Sequence, residues 1–267
     1  MGEIAGLYWE EHGPADAAPA ILSPGLGGSA SYWAPNLDAL AADHRLILYD
    51  HRGTGRSDRA LAFNVSVEDM ADDVLALMDG LGLARATLIG HAAGGAIGLA
   101  LALRAPERLD RLVVVNGWSK ADPHFLRCFE TRLALLRDSG LRAFLRAQPL
   151  FLYPARWISQ NDARLAAEEA RQLDQFQGAP NIEARIAALA AFDVDDRLAE
   201  IRTPTLLVAA QDDMLVPASC SERLALGLPD ATLAAMTGGH ACNVTEPIYF
   251  NHVLREWLAA ARFKGAA

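Results

Sequence analysis

Along the chain, short uninterrupted apolar runs alternate with longer stretches whose apolar residues recur every three or four positions. The runs at 20–25 (AILSPG), 45–50 (RLILYD), 86–90 (ATLIG), 111–117 (RLVVVNG) and 204–210 (PTLLVAA) each read as a buried strand. A weaker sixth lies at 231–236 (ATLAAM). Between them lie helical patterns; over 67–81, Met70, Val74, Leu77 and Met78 fall on one face. This alternation predicts an α/β fold, a mostly parallel sheet with helices on both sides.

The alternation stops after Gly117. Residues 118–197 hold no convincing strand, only helical patterns such as RCFETRLALLRDSGLRAFLRAQ and ARLAAEEARQLDQF. Pro149, Pro154 and Pro180 are expected to separate short helices there. An insertion at this place would lie over the carboxyl ends of the strands, where open α/β sheets hold their ligands. The expected organisation is a core of residues 1–117 and 198–267 with a helical cap of residues 118–197.

Composition narrows the class of partner. With 52% hydrophobic and 21% charged residues, the 267-residue chain carries enough apolar material for a substantial core. Its formal net charge of −9 argues against nucleic acid or an anionic membrane, which both demand concentrated positive charge. A local basic pocket for a small anion stays compatible with it. The start, MGEIAGLYWEEHG, lacks the basic-then-apolar pattern of a signal peptide, and no apolar stretch is long enough to span a bilayer. Cys128, Cys220 and Cys242 are odd in number and far apart, which suits a reducing cytoplasm and offers no zinc-site spacing. The expectation is a cytoplasmic protein with no metal or cofactor and a small-molecule partner, a homodimer being left open.

Candidate chemistry sits in the turns. Gly90-His91-Ala92-Ala93-Gly94 joins an apolar run to a helical one. In the G-x-S-x-G elbow of α/β-hydrolases the centre of such a turn is a nucleophilic serine; here it is Ala92. The glycines alone equally describe a helix packed closely on a strand. SPGLGGS (23–29) follows the first strand and would bring the Leu26 N–H to face that of Ala93, two donors able to stabilise an oxyanion. In AAQDDMLVP, Asp213 lies four residues before the proline, where an acid can hold a histidine; Asp212 reads as a solvent-facing or loop-stabilising neighbour. TGGHACN places His240 on a loop between the last strand and the C-terminal helix. Cys242 reads as a buried structural thiol rather than a nucleophile. DHRGTGRSD (50–58) lacks the lysine and glycine spacing of a phosphate loop, and is assigned to loop architecture.

With elbow, acid and histidine in this order, the chain resembles the α/β-hydrolase superfamily over essentially its whole length. PGLGGSASYWAPNLDAL, YDHRGTG, VNGW, QPLFLYPARW, FQGAPN and GGHACNVTEP together are similar to the pyrimidine-utilisation D family of the bacterial uracil-degrading Rut pathway. That resemblance implies a hydrolase of carbamate or aminoacrylate, with alanine commonly at the elbow. An acyl-enzyme through residue 92 is closed, because alanine has no nucleophilic atom. What is left is water activated by His240, oriented by Asp213. Either substrate is a small anion, so a cationic partner is expected: Arg127 or Arg132, with Trp118, Phe129, Tyr153 and Trp157 as pocket walls. The same arginines equally suit solvated helix faces, and the aromatics core packing. Two other readings stand beside this one, a non-catalytic binding protein of hydrolase fold and a serine esterase carrying a Ser-to-Ala change. The retained acid–histidine pair argues against the first.

Overall fold

The computed structural model describes residues 1–260. Its strands are β1 (Gly2–Ile4), β2 (Leu7–His12), β3 (Ala18–Ser23), β4 (His44–Tyr49), β5 (Ala86–His91), β6 (Leu109–Val115), β7 (Thr205–Ala210) and β8 (Ala231–Met236). They form one sheet in the order β1-β2-β4-β3-β5-β6-β7-β8. From β4 to β8 all neighbours are parallel, while β1–β2 and β2–β4 are antiparallel. All six expected strands are present. The β1–β2 hairpin was not expected, because LYWEEH is half-buried at the sheet's rim and has no continuous apolar run.

The helices are α1 (Leu37–Ala41), α2 (Val67–Gly80), α3 (Ala93–Arg104), α4 (Pro123–Ala134), α5 (Leu141–Leu152), α6 (Ala155–Gln160), α7 (Asp162–Asp174), α8 (Ala179–Ala191), α9 (Ala218–Gly227), α10 (Cys242–Thr245) and α11 (Pro247–Ala260). Ser66 starts α2 through a reciprocal capping box with Asp69, and the predicted face of Met70, Val74, Leu77 and Met78 is buried. Alternate strand residues feed two cores. Leu88, Leu112 and Val114 pack with α2 and α3, whereas Ile89, Val113 and Val115 pack with Phe250 and Leu254 of α11. Burial on both faces explains why these strands read as unbroken apolar runs.

Between β6 and β7 the chain is helical apart from one isolated bridge, Lys120 to Asp193, which ties the two ends of the segment together. Pro154 precedes α6 and Pro180 lies in the first turn of α8, as separators should. Pro149 departs from expectation: it sits inside α5. It withholds the N–H that would bond the Leu145 carbonyl and its ring crowds that carbonyl, yet the helix runs on to Leu152. No helix among the described residues is long and apolar enough to cross a membrane.

Candidate active site

Parallel register brings several turns to one edge of the sheet. Ser23 lies beside Gly90, His91 beside Val115, and Val115 beside Val208. The residues that follow these strands therefore leave at one level. After β5 the backbone reverses at Ala92, with φ 49° and ψ −105°, a region that L side chains resist. Bare neighbours let it close: a Cβ on Gly90 would strike the Gly94 backbone, and one on Gly94 the Ser23 carbonyl. The Ala92 N–H donates to the Val115 carbonyl at 2.8 Å, while its own carbonyl accepts from Gly95 and Ala96. The Ala93 N–H opens the first turn of α3, where no intrahelical acceptor exists. The Leu26 N–H makes no backbone hydrogen bond among the described residues.

The acid and the histidine meet behind this elbow. Asp213 Oδ1 accepts the N–H groups of Leu215 and Val216 at 2.7 and 2.9 Å, and Oδ2 lies 2.8 Å from His240 Nδ1. Neither side chain is more than 3% exposed. A carboxylate so held accepts only, so Nδ1 carries the imidazole proton and Nε2 the lone pair. His240 Nε2 has no hydrogen-bond partner among the described residues.

The loop carrying His240 is fastened from three sides. Asp212 Oδ1 accepts the N–H groups of Gly238 and Gly239 at 2.9 and 3.0 Å, so this exposed neighbour is both solvent-facing and loop-stabilising. Asn116 Nδ2 and His91 Nε2 both donate to the His240 carbonyl at 2.8 Å, and Asn116 Oδ1 accepts the Ala210 N–H. The His91 and His240 rings stand 4.7 Å apart, which sets the catalytic candidate beside the elbow. Burial, then the neighbouring His240, holds the His91 pKa well below its ordinary 6.5, so the ring stays neutral. Sequence reasoning missed both Asn116 and His91. Asn116 has φ 50°, an unusual value for a non-glycine residue, and its position in VNGW at a strand end is the signal that was there to be read.

The helical segment brings some expected residues inward. On α4, Phe125, Cys128, Phe129 and Arg132 form the buried stripe. Trp118, just past β6, packs on Phe125 at 4.5 Å, Phe125 on Phe129 at 4.5 Å, and the Arg132 guanidinium lies 5.1 Å from the Phe129 ring. Arg132 is 4% exposed, donates to Gln148 Oε1, and leaves its Nε unpartnered; burial lowers its pKa to about 10. Arg127 needs correction. At two positions past Phe125 it falls off the buried stripe and is exposed, so it does not line an interior pocket. Tyr153 and Trp157 are half-buried and stacked at 4.4 Å, and the Ala241 N–H donates to the Leu152 carbonyl beside them. Cys242 is no rival nucleophile: burial, then the Asp213 charge, pushes its thiol up to about 12. No group of three metal-binding side chains gathers among the described residues.

A strained elbow after β5, an acid after β7 and a histidine after β8 of a mostly parallel sheet have a counterpart in known sequences. The profile of the α/β hydrolase fold matches residues 19–247. The chain belongs to that family. Within it, a protein of Caulobacter sp. (strain K31) named "Putative carbamate hydrolase RutD" is 56% identical, the match covering 97% of each chain. One of the same name from Rhizobium rhizogenes (strain K84) is 53% identical over 95% of this chain and 98% of its own. Among solved structures, the enol-lactonase from Burkholderia xenovorans LB400 superposes with a TM-score of 0.87 at 25% identity, covering 96% of this chain and 98% of that one. This α/β-hydrolase keeps the family's chain order of elbow, acid and histidine at 92, 213 and 240, and has a methyl group where the order calls for a nucleophile.

Proposed function

We propose that this α/β-hydrolase cleaves the carbon–nitrogen bond of a small anion, carbamate or aminoacrylate, and releases ammonia in pyrimidine catabolism. The observation that carries the reading is the buried Asp213–His240 pair with an unpartnered Nε2 beside an elbow that has no nucleophile. The names of the 56% and 53% identical relatives support carbamate. Water takes the nucleophile's place. As its oxygen bonds to the carbamate carbon, Nε2 receives a proton, and the developing oxyanion faces the Leu26 and Ala93 N–H groups. The imidazolium returns that proton to nitrogen, the C–N bond breaks, and ammonia leaves beside bicarbonate. With aminoacrylate, a proton moves from nitrogen to the carbon beside the carboxylate to give the imine tautomer, water adds to the imine carbon, and the carbinolamine expels ammonia to leave an aldehyde. Arg132 anchors the anionic end, and residues 118–197 serve as the cap that encloses it.

Both substrates also decay unaided, so the measurable quantity is the ammonia release above background. His240→Ala should lose about 10²–10⁴-fold of that excess, the usual worth of general-base catalysis. A folded His240→Ala protein with the full excess would overturn the reading. Ala92→Ser separates the serine-esterase alternative, which demands strong new activity on small esters.

A further inference from the structure

Arg185 is buried, 2% exposed, on α8, and no carboxylate among the described residues pairs with it. Its Nη1 donates to the Leu26 carbonyl at 3.1 Å and its Nη2 to the Arg52 carbonyl. The carboxylate in its surroundings, Asp73, is taken by Arg52 through contacts of 2.7–3.2 Å. Arg185 Nε has no partner, nor has His51 Nε2. Both residues border a small, partly open cavity of about 10 Å³, room for one water at most. Burying a cation against carbonyls alone is costly, and an aliphatic side chain on an apolar helix face would pack there at less expense. The fold alone gives no reason for an arginine.

Its partners do. The Leu26 carbonyl belongs to a turn packed against the elbow, where a Cβ on Gly25 would meet His91 Nδ1 and one on Gly28 would collide with Arg185 Nη1 and with Thr54. The rest of this end of α8 is stitched to the loop after β4. Gln177, just before α8, accepts from Thr54 Oγ1 at 3.0 Å, and Asn181 donates to the Gly53 and Arg59 carbonyls at 3.0 Å. Arg185 thus joins three segments: α8, the loop at 51–59 and the turn at 24–28. We propose that Arg185 is a positioning residue for the reaction, fixing the Leu26 turn so that its N–H is held at the developing oxyanion and making that donor depend on the seating of α8. The proposal rests on the hydrolase reading above and specifies one part of it. Arg185 contacts protein backbone, and its role is distinct from the anion contact assigned to Arg132.

A positioning role and a structural or substrate-binding role move different quantities. In Arg185→Met, kcat for ammonia release above background should fall at least about tenfold, part of the 10²–10³-fold typical of a lost oxyanion donor. KM should stay within about threefold, and Tm should hold or rise. Arg185→Lys keeps the charge but cannot span both carbonyls, and should fall between wild type and the methionine variant. His240→Ala is run beside them. An inactive His240→Ala with full kcat in Arg185→Met, or in Arg185→Lys should the methionine variant not fold, overturns the positioning role and leaves the hydrolase reading intact. A raised KM at unchanged kcat also overturns it, because Arg185 would then hold substrate. A His240→Ala protein with full excess activity sinks the hydrolase reading itself.

Discussion

Ala92 carries conformational strain without a side-chain function to show for it. A non-glycine residue in sparsely populated φ/ψ space costs on the order of 1–3 kcal/mol, which the surrounding hydrogen bonds and packing hold in place. Ala92→Gly should therefore stabilise the protein by about 1 kcal/mol, after allowing for the extra freedom of glycine in the unfolded chain. A urea titration reads this directly, and a destabilised variant would contradict it. The ammonia-releasing activity should change little, since neither residue brings a nucleophile. His91 and His51 make a second prediction. Both are buried and held neutral, their pKa values lowered mainly by desolvation. The unfolded chain takes up protons near its ordinary value of 6.5 while the folded one does not. Stability is then full above that pH and falls as pH drops below it, by about 1.4 kcal/mol per group for each pH unit. Chemical denaturation at pH 7 and pH 5.5 tests the sign; equal stabilities would show that these rings protonate in place.

Elements differ in how plainly they were written in the sequence. The six parallel strands were legible because burial on both faces produces unbroken apolar runs, and Asp213 and His240 were legible from their places after β7 and β8. Buried arginines were not. Arg132 was readable only as one of two alternatives, and Arg185 was overlooked, although each lies on an apolar stripe: Phe125, Cys128, Phe129 and Arg132 on α4, Ile182, Arg185, Ile186 and Leu189 on α8. A charge at spacing 3, 4 and 7 among apolar residues is the pattern that marks them. The hydrogen-bond partners of each arginine lie more than 15 residues away, at Gln148 and at Leu26 and Arg52, and no local pattern encodes that. For α4, truncating Arg132 to methionine should raise KM for an anionic substrate about 10- to 100-fold with kcat nearly kept, the worth of a charge-assisted hydrogen bond. A KM indifferent to this change would remove Arg132 as the anion anchor.

At the scale of the whole molecule, the candidate site draws on residues from position 26 to position 240, and none of its parts is complete within one stretch of chain. The last piece, the loop holding His240, leaves β8, which is the outermost strand on its side and half exposed, with Leu233 40% accessible. A rim strand has one neighbour to hold it and opens more readily than the strands beside α3. The molecule should come apart from this rim inward, and chemistry should be extinguished while most of the backbone is still folded. In graded urea the ammonia-releasing rate would then vanish at a lower concentration than the far-ultraviolet ellipticity, whereas coincident midpoints would mean a single cooperative event. During synthesis the same arrangement works in reverse: a ribosome-bound chain stopped before residue 231 already contains the elbow and Asp213, but it lacks His240 and the α11 residues that cover Ile89 and Val113, and stays silent until they dock.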